Sequence, residues 1–212
     1  MARLNRWIEV AAGALRDAHI RFALVGGLAI GVRAEPRFTR DVDFAVGVRD
    51  DYEAQYVVRC LMRVGFSMVA EFDHKTTGRI ATVRMAPPGV VIDLENDRKP
   101  EVVDILFIAS GIEPEVVASA TSVPVRRDFE VPVAQIPHLI AMKLASVRDT
   151  RPLDAADLLA LIKEATDDQL AKVPPLLQLI AARGFHRDKD LPGLFDHYLQ
   201  LAGRRPEGTG PE

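Results

Sequence analysis

Hydrophobic positions along the first part of the chain switch between helical and strand periods. Between residues 4 and 20 apolar side chains recur three and four residues apart, as they do on one face of a helix. A β-rich run at 21–25 then ends at Gly26-Gly27, and the small apolar residues 28–32 favour a helix that opens directly from the glycines. The pattern therefore predicts a strand, a glycine turn and a helix in immediate succession.

The middle of the chain combines strand-length apolar runs with amphipathic helices. Strands are predicted at 41–46, 66–71, 79–85, 90–94 and 102–108. Helices are predicted at 50–64 and 113–120. Residues 123–133 favour a strand pair that is interrupted by proline, which we expect to form edge strands because proline cannot donate to a sheet ladder.

The last third of the chain has a helical period only. Helices are predicted at 137–147, 153–165, 169–182 and 191–202. The fold class is therefore α+β, with a mixed β-sheet flanked by helices and a C-terminal helical subdomain. We place the sheet-containing domain at 1–135, the helical subdomain at 136–203 and a tail at 204–212, which is rich in Gly, Pro, Arg and Glu and is predicted to be mobile.

Composition narrows the class of protein. The chain has 212 residues, of which 48% are hydrophobic and 27% charged, as in soluble globular proteins. A formal net charge of −3 argues against a uniformly basic surface for nucleic acid. Cys60 is the only cysteine, which excludes a disulfide framework, and no apolar run has membrane-spanning length. We therefore expect a cytoplasmic protein with no membrane partner.

The chemically informative pattern is Asp41-Val42-Asp43 at the start of an apolar strand. Side chains two positions apart project from the same face of a strand, so the two carboxylates lie about 7 Å apart at their Cα atoms. Two like charges this close repel unless a cation lies between them, and their hard oxygen atoms suit Mg²⁺ or Mn²⁺. A lone Asp-X-Asp is more often a loop cap beside a solvent-facing residue, so the surroundings have to decide.

The surroundings are those of a phosphate site. Gly26 and Gly27 leave backbone N–H groups at the start of a helix, where a triphosphate can approach without meeting a Cβ atom. Arg37 and Thr39 stand just before Asp41 and would bring a guanidinium and a hydroxyl into the same cleft. A solvated loop is the alternative interpretation of these two residues.

A third carboxylate is expected to complete a metal site of this kind. Asp104 lies within the apolar run 102–107, where a charge is costly unless it is paired or bound to metal. Asp93, in a shorter run, is the competing candidate, and we favour Asp104. Further along, Asp154 and Asp157 are three apart on a predicted helix and could hold Lys143 or Arg148, although surface ion pairing explains them equally well.

These residues also carry a family resemblance. The segments VGGLA at 25–29 and RFTRDVD at 37–43 resemble the signature of the polymerase β-like nucleotidyltransferase superfamily. Within it the AbiEii/AbiGii toxin-type branch is the most similar, because the segment LIAMKLA at 139–145, followed by Arg148, Arg151, Asp154 and Asp157, is similar to the downstream lysine and aspartate motifs of that branch. The resemblance spans roughly residues 22–161.

The resemblance implies that the domain at 1–135 is catalytic and moves a nucleoside monophosphate from an NTP to an acceptor, either RNA such as tRNA or a protein. It implies Mg²⁺ or Mn²⁺ as cofactor and an antitoxin protein as partner. The catalytic candidates are Asp41, Asp43, Asp104 and Lys143, of which the three aspartates would bind metal. The nucleotide-binding candidates are Gly26, Gly27, Arg37, Thr39, Lys143 and Asp157. Two alternatives stay open: a small-molecule acceptor, as in antibiotic nucleotidyltransferases, and a non-catalytic partner-binding protein on the same fold.

Overall fold

The computed structural model describes residues 2–36, 38–90, 101–126, 128–148 and 152–204. The chain divides into two compact units. The first comprises 1–29, 37–109 and 113–134, and the second comprises 30–36, 110–112 and 135–212. The predicted boundary after residue 135 therefore lies beside the change of unit between 134 and 135.

The first unit is built on a mixed β-sheet that has seven strands within the described residues. The strands are β1 Phe22–Val25, β2 Val42–Val46, β3 Ser67–Asp73, β4 Ile80–Ala86, β5 Val103–Leu106, β6 Thr121–Arg126 and β7 Phe129–Val133. Their order is β3-β4-β5-β2-β1-β7-β6, with β2–β5 and β1–β7 parallel and the other pairs antiparallel. The helices α1 Ala2–Asp17, α2 Gly26–Arg33, α3 Asp51–Arg63 and α4 Glu113–Ser119 accompany this sheet. The predicted fold class is confirmed.

Alternation along β2 separates the core from the polar face of the sheet. Val42, Phe44 and Val46 are fully buried, and the Phe44 ring packs edge to face on Phe22 with 5.4 Å between the ring centroids. Asp43 stands between these residues and projects to the opposite face, where it is only half-buried. The apolar pattern of β2 thus fixes which face of the sheet presents its carboxylate.

The second unit is helical, apart from its short connections. Its helices after residue 135 are α5 Ile136–Ser146, α6 Pro152–Glu164, α7 Asp167–Leu170, α8 Val173–Ala182 and α9 Leu191–Leu201. Buried side chains from four of these helices form its core, among them Leu144, Leu161, Ile180 and Phe195. None of the helices within the described parts of the chain is long and apolar enough to cross a bilayer.

The prediction of one helix at 169–182 is wrong, because two helices occupy this segment. The first, α7, begins in a capping box in which Thr166 and Gln169 bond to each other's backbone N–H groups. The second, α8, has prolines 174 and 175 in its first turn, where the missing N–H groups would have had no intrahelical partner. A single helix from residue 169 would place these prolines in its interior, where their rings clash with the preceding turn.

The expectation of two edge strands at 123–133 is correct for β6 but wrong for β7, which lies between β1 and β6. The contact of β7 with β1 is short: Leu24 is paired with Val133, and Ala134 N donates to Leu24 O at 3.0 Å. Pro132 has no N–H to donate, and the pairing with β1 begins only after it. An internal strand can therefore contain this proline because little of the strand is bonded on that side.

Two predicted segments extend beyond what the structure describes. In the strand predicted at 90–94, residues 91–94 lie outside the described residues, as does Asp93. In the tail predicted at 204–212, only Arg204 is described. Its guanidinium donates to Ala165 O at 3.0 Å and forms an ion pair with Asp167, so this first residue of the predicted tail is bound to the second unit.

Candidate active site

Strand register brings charged residues from three strands into one row on the sheet of the first unit. Asp43 of β2 is paired with Asp104 of β5, and Asp104 is paired in turn with Arg84 of β4. Residues that are directly paired across a ladder project from the same face and are near neighbours. The row therefore reads Arg84, Asp104, Asp43, and it continues on β1 with Val25, the residue before the glycine turn.

The glycine turn closes against the carboxylate of Asp43. Gly26 is the first residue of α2 and has φ +63°, a left-handed conformation that favours glycine. A Cβ atom added at this position would lie 2.0 Å from Asp43 Oδ2 and 2.6 Å from Asp43 Cγ. The predicted association of the glycine pair with the acidic strand is thus a direct approach of backbone to carboxylate.

Asp104 is held by an arginine that the sequence analysis did not identify. Arg84 Nε donates to Asp104 Oδ1 at 2.9 Å, and Arg84 Nη2 donates to Asp104 Oδ2 at 2.7 Å. The hydrogen bond to Asp104 raises the pKa of Arg84 above its ordinary value; burial opposes the rise, and the charges of Asp104, Asp41 and Asp43 add to it. The negative charges of all three predicted carboxylates therefore act on the Arg84 guanidinium.

Arg84 carries a signal that could have revealed it. It is the only charged residue in the apolar strand β4, which reads IATVRMA. The same argument that selected Asp104, that a charge in an apolar strand needs a partner, applies to Arg84. What the sequence does not contain is the register that pairs Arg84 with Asp104, because the two residues are 20 positions apart.

The segment before β2 positions the remaining candidates of the first unit. Asp41 is half-buried, and the next residue, Val42, donates its N–H to Val102 O at 3.0 Å. Thr39 Oγ1 lies 3.4 Å from Asp41 N, a long contact that ties the hydroxyl to the backbone of the same turn. Gly27 is buried in the first turn of α2, and Arg37 lies outside the described residues.

The oxygen donors of this face suit a hard divalent cation, and the absence of a Cβ atom at Gly26 leaves Asp43 room. Across the part of the chain that the structure describes, no group of three His, Cys, Asp or Glu side chains is arranged to hold a metal ion. The pairing of Asp104 with Arg84 is in keeping with this, since both carboxylate oxygens already accept a hydrogen bond. The chemistry of the donors fits Mg²⁺ or Mn²⁺, and a cation that approached Asp104 along the edge occupied by Arg84 would displace part of that pairing.

In the second unit, Lys143 of α5 lies between two aspartates of α6. Its Nζ donates to Asp154 Oδ1 at 3.1 Å and forms an ion pair with Asp157 Oδ2 at 2.8 Å. The Lys143 side chain is 14% exposed and the Asp157 side chain 3%. Of the two partners that the spacing of these aspartates leaves open, Lys143 and Arg148, the structure shows Lys143 between them. Binding of a nucleotide by Lys143 and Asp157 stays a prediction.

One solved structure supports the fold, and two others are similar at lower TM-scores. The antibiotic-resistance factor ANT(2'')-Ia is similar with a TM-score of 0.56 and 13% identity, over 94% of this chain and 98% of that chain. JHP933 from Helicobacter pylori has a TM-score of 0.43 and 18% identity over 94% of this chain and 88% of that chain. The lincomycin-bound lincosamide antibiotic adenylyltransferase LnuA has a TM-score of 0.43 and 13% identity over 72% and 92%.

Comparison of sequences identifies the family. No curated protein sequence matches the chain significantly. The family model described as "Nucleotidyl transferase AbiEii toxin, Type IV TA system" matches residues 11–207, nearly the whole chain. The chain therefore belongs to the AbiEii family of nucleotidyltransferase toxins.

Proposed function

We propose that the protein transfers a nucleoside monophosphate from an NTP to a hydroxyl group of an acceptor, with Mg²⁺ or Mn²⁺ held by Asp41, Asp43 and Asp104. The observation that supports this most directly is the contact of Gly26 with Asp43, because it joins a helix start suited to phosphate to a carboxylate suited to metal. The family to which the chain belongs supports the same chemistry.

In the proposed reaction the acceptor oxygen attacks the α-phosphorus of the NTP. A new phosphorus–oxygen bond forms, the bond to the β-phosphate oxygen breaks, the hydroxyl proton passes to solvent, and pyrophosphate leaves with the released electron pair. Bound Mg²⁺ would lower the pKa of the acceptor hydroxyl and neutralise charge on the phosphates, in a two-metal arrangement. The backbone N–H groups of Gly26 and Gly27 would bind the β- and γ-phosphates, with Arg37 and Thr39 beside them.

Lys143 would add positive charge to the triphosphate. Its ammonium group is held by hydrogen bonding to Asp154 and by the charge of Asp157, so its position does not depend on the nucleotide. Asp157 would act on the nucleotide through Lys143 and is a positioning residue in this proposal.

The proposed acceptor is RNA, such as tRNA. Phe38 is 73% exposed, and the Arg40 guanidinium lies over its ring at 5.8 Å from the centroid, both within three residues of Asp41. Exposed aromatic rings and arginine planes stack with unpaired bases. Membership of a toxin family favours a cellular macromolecule as acceptor and an antitoxin as partner. A protein acceptor and a small molecule are tested alongside RNA.

The test uses α-³²P-labelled NTPs with the full chain, Mg²⁺, and either bulk tRNA, total protein or aminoglycoside and lincosamide antibiotics. Label should appear on RNA with at least one NTP and should be lost on chelation of the metal. Asp41→Asn should abolish transfer without unfolding the protein, whereas Asp168→Asn, the same change at an exposed position of α7, should leave it unchanged. Label on an antibiotic alone would establish the small-molecule alternative. Absence of transfer to every acceptor, together with absence of NTP binding in calorimetry, would favour a non-catalytic partner-binding protein.

A further inference from the structure

The pair formed by Arg84 and Asp104 differs from a surface ion pair in its geometry and its position. Two nitrogen atoms of one guanidinium bind the two oxygens of one carboxylate, at 2.9 and 2.7 Å. The Asp104 side chain is 11% exposed and that of Arg84 is 40% exposed. Bidentate pairing of this kind is among the stronger charge-assisted contacts in proteins, and here it stands in the row that contains Asp43.

A divalent cation and a guanidinium compete for the same carboxylate oxygens. The side-on guanidinium fills the edge of the Asp104 carboxylate between its two oxygens, where a hard cation would also bind. An ion brought there would lie against a fixed positive charge, so either the ion is excluded or Arg84 gives up at least one hydrogen bond. A hydrogen bond between two charged groups is among the stronger ones in proteins, so its loss opposes metal binding.

We propose that Arg84 is a built-in counter-ion that competes with the divalent metal for Asp104 and so weakens metal binding until it is displaced. This inference rests on the proposed function, because it takes Asp41, Asp43 and Asp104 as the metal ligands. Arg84 is a positioning residue in this scheme: it acts on the ion through Asp104. The released guanidinium would be free to bind a phosphate group, for which its planar fork is well suited.

A double-mutant cycle on metal binding tests the competition without any nucleotide or acceptor. The affinity for Mn²⁺ alone is measured by electron paramagnetic resonance for the wild type, Arg84→Gln, Asp104→Asn and the double variant. Arg84→Gln should bind Mn²⁺ about tenfold more tightly, the effect expected from freeing one charged hydrogen bond. Asp104→Asn should weaken Mn²⁺ binding in the wild-type background, because it removes a ligand, and should weaken it about tenfold more in the Arg84→Gln background.

Arg79→Gln is the matched control for the loss of positive charge. Arg79 lies just before β4 and forms an ion pair with Asp51 at 3.3 Å, so the substitution removes the same charge from the same hairpin without touching Asp104. Its Mn²⁺ affinity should equal that of the wild type. If Arg79→Gln and Arg84→Gln gained Mn²⁺ affinity equally, or if Arg84→Gln gained none, the proposed competition between Arg84 and the metal would be wrong.

Arg84→Gln leaves Asp104 buried without its cation, so a second variant and a second measurement accompany it. Arg84→Lys keeps the charge but loses the bidentate contact, and it should bind Mn²⁺ with an affinity between those of the wild type and Arg84→Gln. Added Mn²⁺ should raise the midpoint of thermal unfolding more in either variant than in the wild type, because the metal binds the folded state more tightly. An equal or smaller rise in both variants would contradict the proposal.

The variant Asp41→Asn separates failure of this inference from failure of the proposed function. If Asp41→Asn loses Mn²⁺ binding while the cycle shows no coupling between Arg84 and Asp104, the proposed metal site is supported and only the role of Arg84 is refuted. If Asp41→Asn and the wild type bind Mn²⁺ equally, the proposed metal site itself is wrong, and the competition falls with it.

Discussion

The contact between Gly26 and Asp43 leads to the sharpest mutational prediction, that Gly26→Ala inactivates the protein. The added Cβ would lie 2.0 Å from Asp43 Oδ2, and Cβ atoms in proteins are essentially never closer than 3.0 Å to such a neighbour. The carboxylate oxygen must therefore retreat by about 1 Å, or the start of α2 must move by as much. Since a misplacement of ~1 Å in a catalytic arrangement can reduce the rate about 100-fold, we expect a loss of transfer of that size.

The same substitution also costs stability for a reason unrelated to Asp43. Gly26 has φ +63°, and an L-residue in the left-handed region costs about 1–2 kcal/mol. For a protein of this size that corresponds to a fall in the unfolding midpoint of roughly 2–8 °C. Loss of activity in Gly26→Ala alone would therefore not distinguish a displaced carboxylate from a weakened fold.

Gly78→Ala is the control that separates the two effects. Gly78 has φ +66° and no heavy atom within 4 Å of an added Cβ, so the change carries the same backbone cost without any collision. Unfolding midpoints, transfer rates and Mn²⁺ affinities of the two variants should be measured together. Both should lose similar stability, and only Gly26→Ala should lose transfer and metal affinity. If the two variants kept equal activity, the placement of Asp43 against the glycine turn would have no functional consequence.

Two further substitutions test the buried contacts of each unit by thermal and denaturant unfolding. Lys143→Met leaves Asp154 and Asp157 buried without their cation and should lower the free energy of unfolding by about 3–5 kcal/mol. Lys163→Met, at an exposed position of the same unit, should change it by less than about 0.5 kcal/mol. Equal effects of the two substitutions would contradict the buried contacts of Lys143. Phe44→Ala removes a fully buried ring and should lower the free energy of unfolding by about 3–5 kcal/mol. Phe38→Ala removes a ring that is 73% exposed and should leave stability nearly unchanged. A large loss of stability in Phe38→Ala would show that this ring is packed.

The elements that sequence analysis located are those defined by local rules. Alternation placed Asp43 on the face of β2 opposite to Phe44, and the glycine pair marked the start of α2, because both rules act within a few residues. Apolar spacing predicts a single helix over 169–182, although this segment contains prolines. Proline at the first turn of a helix and proline in its interior look alike when only hydrophobic spacing is read.

The sequence could not show how distant strands are paired. The apolar run around Asp104 favours it over Asp93. That run does not indicate that Asp104 lies directly beside Asp43 on the next strand. Register between parallel strands depends on the packing of both faces of the sheet and on the connections, which are properties of the whole unit. Arg84 was missed for the same reason, and so was the difference between β6, at the edge of the sheet, and β7, which lies inside it.

The sheet of the first unit has to remain folded although acidic side chains lie close together on one of its faces. The directly paired carboxylates of Asp43 and Asp104 repel each other, and β4 supplies one arginine, Arg84, on which the charges of Asp41, Asp43 and Asp104 all act. One positive charge reduces the repulsion among the carboxylates but does not supply the charge of the divalent ion that we propose binds there. Arg84 thus connects the packing of the sheet to the chemistry that we propose on its surface: the contact that pairs Asp104 within the sheet is also the contact with which the proposed metal ion would compete.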